Sequence, residues 1–317
     1  MVRGFRFMAP MPEPAPLPQW RQQVQRIEQL GFDSVRVVDH FTEASALEPI
    51  TAMTAAVAVT ERLRVVSLVM CNDYRHPVMT HRMAAFIDVL SEGRLELGLG
   101  AGWLRSDYDA AGMDYDPPAV RVSRLIEAVR VIKGLFGEEV VNHDGAHYRI
   151  TELDGKPKPT QRPHPRLLIG GGGPRVLSFA AREADIVGLN ANLSAGLVTK
   201  DVAVDLGADP IAQKVRWVRQ AATRAGRSMG DIELQLTCFV TAVTPDMAAA
   251  RAQLEGLAEL FDVPVEHVAQ SPSVLVGTVE YCVERLWTLR ERYGFSYVDL
   301  RADPETTAPI VEQLSGR

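Results

Sequence analysis

Short apolar runs of strand length alternate with amphipathic stretches of helix length along almost the whole chain, and this alternation restricts the fold more than any other feature. Phe5–Ala9, Ser34–Val38, Leu63–Val69, Arg94–Leu99, Leu167–Ile169, Ile186–Leu189, Glu233–Ala242 and Ser296–Leu300 read as strands. Trp20, Val24, Ile27 and Leu30 share a helical face that Gly31 ends, and Met79, Met83, Phe86, Ile87 and Leu90 share another. Glu48–Val59, Pro174–Ala184, Ile211–Ala225, Pro245–Leu260 and Val279–Tyr293 read as further helices. The strands are apolar without strict alternation, as strands covered on both faces of a parallel sheet are. Eight such β/α units in 317 residues fit a closed (β/α)8 barrel, with an open doubly wound sheet as the alternative. Longer stretches interrupt the alternation after the fourth and sixth strands. In the first, Val122, Leu125, Ile126, Val129, Ile132 and Phe136 mark a helix, and Val140–Ile150 reads as a hairpin around His143-Asp144-Gly145. No repeat or low-complexity linker divides the chain, so residues 1–317 read as one domain.

Several function classes fall away on composition. The net charge is −6 and no Lys/Arg block marks a nucleic-acid or anionic-membrane footprint. Cys71, Cys238 and Cys282 are far apart and form no Cys-x-x-Cys, which argues against a disulfide framework or a thiolate zinc site. His143/His147 and His76/His81 do not share helical faces and support no metal site. No run reaches the ~18 apolar residues of a membrane span. Prolines enter the N-terminal segment before any apolar run develops, unlike a signal peptide, so a cytoplasmic location is expected.

In a (β/α)8 barrel the chemistry sits at the C-terminal ends of the strands. Here those ends run into Asp39-His40, Ser67-Leu68, Gly98-Leu99-Gly100-Ala101-Gly102-Trp103 and Gly170-Gly171-Gly172-Gly173. Four glycines between a strand and a helix opening on Pro174 suit a phosphate cradle, because backbone can approach a ligand closely and a helix N-terminus offers free N–H groups. A side chain at Gly172 or Gly173 would then block the phosphate. The other reading is a flexible turn. The Gly98-x-Gly100-x-Gly102 segment lacks the third-glycine spacing of a dinucleotide fingerprint. It reads as a small-residue floor for a planar ring or as tight barrel packing. Asp39-His40 is a carboxylate–imidazole pair in which His40 shuttles a proton or is simply hydrogen-bonded to its neighbours. Cys71 has no nameable partner and reads as a buried thiol.

Taken in order, these segments resemble the luciferase-like monooxygenase superfamily. Gly31-Phe32-Asp33-Ser34 leading to Asp39-His40 resembles its second strand. The stretch Leu90-Ser91-Glu92-Gly93-Arg94 through Gly98-Leu99-Gly100-Ala101-Gly102-Trp103 resembles its most specific motif, with Arg75-His76-Pro77 upstream. Ile169–Gly173 followed by Ala180-Ala181-Arg182-Glu183-Ala184-Asp185 resembles its phosphate loop, and Val276-Gly277-Thr278 its last turn. The pattern looks most like the branch dependent on coenzyme F420, a deazaflavin. That resemblance implies hydride transfer to or from a small organic substrate. Asp39, Ser67, Leu68, Gly100 and Ala101 would border the ring, with a non-proline cis peptide at Ser67–Leu68. Gly171, Gly172 and Gly173 would hold the phosphate, and His40 would be the catalytic proton carrier. Relatives that oxidise sugar phosphates carry Glu directly after the Gly-x-Gly motif. This chain has Trp103, an apolar or stacking wall for a planar substrate. The same barrel also hosts FMN-dependent monooxygenases and catalytically silent flavin-binding relatives, which stand as alternatives. Members are commonly dimers, and a homodimer is expected.

Overall fold

The computed structural model describes residues 3–42 and 46–317. Eight parallel strands form its centre: β1 (Arg6–Pro10), β2 (Ser34–Val37), β3 (Arg64–Ser67), β4 (Leu95–Gly100), β5 (Arg166–Gly171), β6 (Ile186–Leu189), β7 (Glu233–Cys238) and β8 (Phe295–Leu300). Each pairs with its neighbour in sequence, and β8 returns to β1 with Val298 opposite Phe7. The sheet is therefore closed, and the doubly wound alternative is excluded. Helices cover the outside, and the insertion after β4 contains the expected antiparallel hairpin, Val141–Asp144 with Arg149–Leu153. Among the described residues no helix is long and apolar enough to cross a membrane.

Two strand readings need correction. The run Glu233–Ala242 ends its barrel strand at Cys238. Val240–Val243 then forms a separate parallel pair with Val274–Gly277, a strand the sequence pattern does not announce. The run Leu63–Val69 leaves the barrel ladder after Leu68, whose N–H still reaches Val37 O at 2.8 Å. The cis peptide follows at Leu68–Val69, one bond later than the resemblance implied. Helices at Arg105–Ala111, Lys200–Asp205, Val265–Gln270 and Pro304–Leu314 also go beyond the sequence reading.

Side chains alternate between lumen and helix layer along each strand, so residues two apart share the lumen. At the N-terminal end the lumen holds ions: Glu96 meets Arg6 at 2.6 Å and Arg64 at 3.0 Å, and Glu233 meets Arg6 at 2.9 Å and Arg166 at 2.8 Å. A middle layer of Met8, Val66, Leu168, Ile186 and Tyr297 is fully buried. Above it the same faces carry Gly98 and Gly100 on β4, Gly170 on β5 and Gly188 on β6. On β4, β5 and β6 a layer that side chains fill in most barrels is thus backbone, and the barrel opens upward there.

Candidate active site

That opening is a cavity of about 780 Å³ at the C-terminal ends of the strands. Of the residues singled out by sequence, Asp39, His40, Leu68, Gly100, Ala101, Trp103, Gly171, Gly172 and Gly173 line it. Ser67 does not. Its lumen-side neighbour is Val66, and Ser67 itself turns toward β4, where its Oγ donates to Gly98 O (2.9 Å) and accepts from Gly98 N–H (2.8 Å). Ser67 is a bracket between two strands, and a Cβ at Gly98 would sit 1.7 Å from its carbonyl oxygen.

His40 pairs with Asp107, not with Asp39. The Asp39 carboxylate is taken by Arg75 at 2.6 and 3.2 Å and by the Cys71 N–H at 2.9 Å. His40 Nδ1 lies 2.7 Å from Asp107 Oδ2, on the helix Arg105–Ala111. Asp107 is fully buried and also accepts from the Phe41 and Thr42 N–H groups, the Thr42 hydroxyl and the Tyr74 hydroxyl. Burial pushes its carboxyl up, but the hydrogen bonds from His40 and Thr42, with the backbone donors, outweigh that and hold it below the usual range. An ionised Asp107 can only accept, so the network assigns the proton to Nδ1. Nε2 is left with its lone pair and no hydrogen bond among the described residues. The ring stands edge-on to Trp103, with centroids 5.5 Å apart. Sequence reasoning missed Asp107 because it lies 67 residues away on a short helix with little apolar pattern.

The glycine loop divides into two parts. A Cβ at Gly172 would lie 2.0 Å from Ala191 O, so glycine is needed there for the loop to pack on the neighbouring one. A Cβ at Gly173 would meet nothing within 4 Å. Gly173 caps the helix Pro174–Glu183, and Leu177 N–H is the first to reach back, to Gly173 O. The N–H groups of Gly173, Arg175 and Val176 find no acceptor among the described residues. Open space in front of free N–H groups at the positive end of a helix is what a phosphate requires.

The sequence reading also missed Arg121. It lies in the first turn of the helix Pro118–Phe136, is 2% exposed, and lines the cavity. Its Nε and Nη1 are sealed from solvent without a hydrogen bond among the described residues. Its guanidinium sits 4.0 Å over the Tyr115 ring. Arg175 Nη1 donates to Ala119 O at 2.9 Å, which ties this turn to the glycine-loop helix. A buried cation with no carboxylate partner is costly, so the wall is electrostatically complete only with an anion beside it. The signal was present: Arg121 occupies the apolar stripe Arg121-Leu125-Ala128-Ile132.

Cys71 lines the cavity, but its surroundings disfavour the thiolate. Burial pushes its thiol up to about 12, with Tyr108 OH at 3.4 Å. Among the described residues no His/Cys/Asp/Glu group could hold a metal ion.

Fold and site together define a (β/α)8 barrel with a ligand chamber at the mouth where such barrels do their chemistry. Within that class the chain belongs to the luciferase-like monooxygenase family, whose model matches residues 3–296. It is 28% identical over 181 residues to an FMNH2-dependent dimethylsulfone monooxygenase of Pseudomonas putida, covering 56% of this chain and 50% of that protein. It is 33% identical over 168 residues to an F420-dependent glucose-6-phosphate dehydrogenase of Intrasporangium calvum, covering 50% of each. The chain thus spans about half the length of these curated relatives. The coenzyme F420-dependent tetrahydromethanopterin reductase of Methanopyrus kandleri superposes with a TM-score of 0.76 over 99% of both chains at 17% identity, a likeness of fold.

Proposed function

We propose that this protein is a coenzyme F420-dependent oxidoreductase acting on a small organic substrate held against Trp103. The observation that carries the reading is the His40–Asp107 pair, which presents to the chamber an imidazole Nε2 with no hydrogen bond among the described residues. The cavity residues fit the coenzyme: Gly173 leaves open space at a helix N-terminus, and Arg121 supplies a buried cation with no carboxylate partner among the described residues. Gly173, the helix N-terminus and Arg121 would hold the phosphate, and Leu68, Gly100 and Ala101 would border the ring. When bound, the deazaflavin supplies or accepts a hydride. His40 Nε2 exchanges the accompanying proton with the substrate, and Asp107 stabilises the imidazolium that forms. Asp39 acts indirectly, by anchoring Arg75 and, in the cavity wall, the Cys71 backbone.

His40→Asn tests this with reduced F420 and an activated enone or nitro compound as reporter. Turnover should fall about 100-fold while coenzyme affinity changes little. Near-normal turnover would remove His40 from the reaction.

The expected homodimer finds a matching surface in the helix Pro77–Leu90, where Met79, Phe86, Val89 and Leu90 are exposed at 50%, 54%, 44% and 45%. Light scattering at micromolar concentration should give twice the chain mass, and a monomer mass would refute it.

A further inference from the structure

The chamber holds a second set of charges that the coenzyme, as placed above, does not use. Arg36 on β2 and Asp299 on β8 both line the cavity. They are joined through one nitrogen only, Arg36 Nε to Asp299 Oδ1 at 3.1 Å. Arg36 is 8% exposed, and its two terminal nitrogens make no hydrogen bond among the described residues. Two residues past Asp299, Arg301 lines the same cavity with its guanidinium 5.5 Å over the Phe239 ring. It makes no ion pair or side-chain hydrogen bond among the described residues. Burial works against its charge, Arg36 adds to that, and Asp299 only partly offsets it. The polar neighbours Gln235 and Thr237 are neutral and bond each other at 3.1 Å. Among the described residues, two cations against one anion leave this corner with an excess of one positive charge.

Topology separates this corner from the phosphate end. β2 and β8 flank β1, which lies four strands from β5 around the closed barrel. The two arginines therefore stand across the mouth from the glycine loop. Asp299 holds Arg36 by Nε and leaves its outer edge, Nη1 and Nη2, free for a two-oxygen acceptor. The Asp299 charge beside that edge repels a dianion more than a monoanion. Leu189, Phe239 and Val240 supply apolar wall in the same chamber.

We propose that Arg36 and Arg301 form a carboxylate subsite, and that the substrate is a small molecule with an apolar body and a single carboxylate. This rests on the chamber being the substrate site of the oxidoreductase proposed above, and narrows that substrate to a class.

The test is calorimetric titration of the whole protein with benzoate, cinnamate and octanoate, each beside its neutral primary amide, and with hexyl phosphate. At least one acid should bind about tenfold or more tightly than its amide, and more tightly than hexyl phosphate. Arg301 makes no ion pair or side-chain hydrogen bond among the described residues, so Arg301→Met should leave the fold intact. It should weaken that acid about tenfold and leave its amide and F420 unchanged. Arg36→Met alone would strand Asp299, so the partner variant is the double change Arg36→Met with Asp299→Asn, expected to abolish the preference for acid. Equal binding of acids and amides overturns the proposal, as does no saturable binding of any acid. So does an Arg301→Met loss that falls on F420 instead, because the arginine would then serve the coenzyme. If F420 fails to bind wild-type protein while the acid preference and its Arg301 dependence hold, the coenzyme reading fails and the subsite stands.

Discussion

Below the apolar waist of the barrel, Glu96 is met by Arg6, Arg64, Arg166 and the Tyr297 hydroxyl. Above it, Arg121 is met by the faces of two tyrosines and by no carboxylate among the described residues. Both groups are almost wholly hidden from solvent. The lower charge is compensated several times over and holds the strands together. The upper one is left wanting a partner, beside free N–H groups and an open cavity. The contrast teaches where this fold spends its electrostatics: on structure at the closed end, and on a ligand at the open end.

The sharpest way to break the contrast is to neutralise the lower charge. Glu96→Gln leaves three arginines around an uncharged amide and should cost about 3–5 kcal/mol of stability by denaturant unfolding. Burial pushes the Glu96 carboxyl up, but the three guanidinium groups and Tyr297 outweigh it and hold it at about 2. The folded pKa is therefore depressed relative to the unfolded chain. Its contribution of about 3 kcal/mol is complete above about pH 4.5 and is lost as pH falls toward 2. The Glu96→Gln variant should lose less stability across that window than wild type, and parallel curves would show that Glu96 does not titrate this way.

The same operation at the upper charge should do the opposite. Arg121→Met keeps the bulk and removes a buried cation, so thermal stability should hold or rise. Coenzyme affinity should fall about 100-fold, or about 2.7 kcal/mol. A fall in stability with unchanged affinity would make Arg121 structural and dissolve the contrast.

The smallest expected effect separates two adjacent glycines. Gly172→Val drives a side chain into the Ala191 backbone and should cost stability by about 1–3 kcal/mol. Gly173→Val enters open space and should leave melting unchanged while weakening coenzyme binding by about 2 kcal/mol. Identical behaviour of the two variants would show that the loop is one structural turn.

The scaffold was largely legible in the sequence, because buried parallel strands and glycine-stopped helices leave local patterns. The ion cluster of Glu96 and Glu233 at the closed end was not, because its partners come from different strands. Ile186–Leu189 and Val279–Tyr293 fall where periodicity puts them. The strand Val274–Gly277 escaped because four residues beside a turn carry too short a pattern. At the open end the sequence shows residue types but not their partners. Asp39 beside His40 in sequence is the obvious carboxylate, yet alternation along the strand end sends the two side chains to different partners, Arg75 and Asp107. Ser67 looked like a ring neighbour and is a strand bracket, because the lumen face at that level belongs to Val66. Arg121 was legible only as a charge out of place on an apolar stripe.

The central claim is that the open end is built for the phosphate-bearing deazaflavin. Side-by-side equilibrium titrations of purified protein with F420 and with FMN, repeated on Arg121→Met, test it most directly. The account predicts F420 binding at least about tenfold tighter than FMN, a gap of about 1.4 kcal/mol, with both affinities collapsing in the variant. FMN binding the tighter, or wild-type affinity in Arg121→Met, would contradict it.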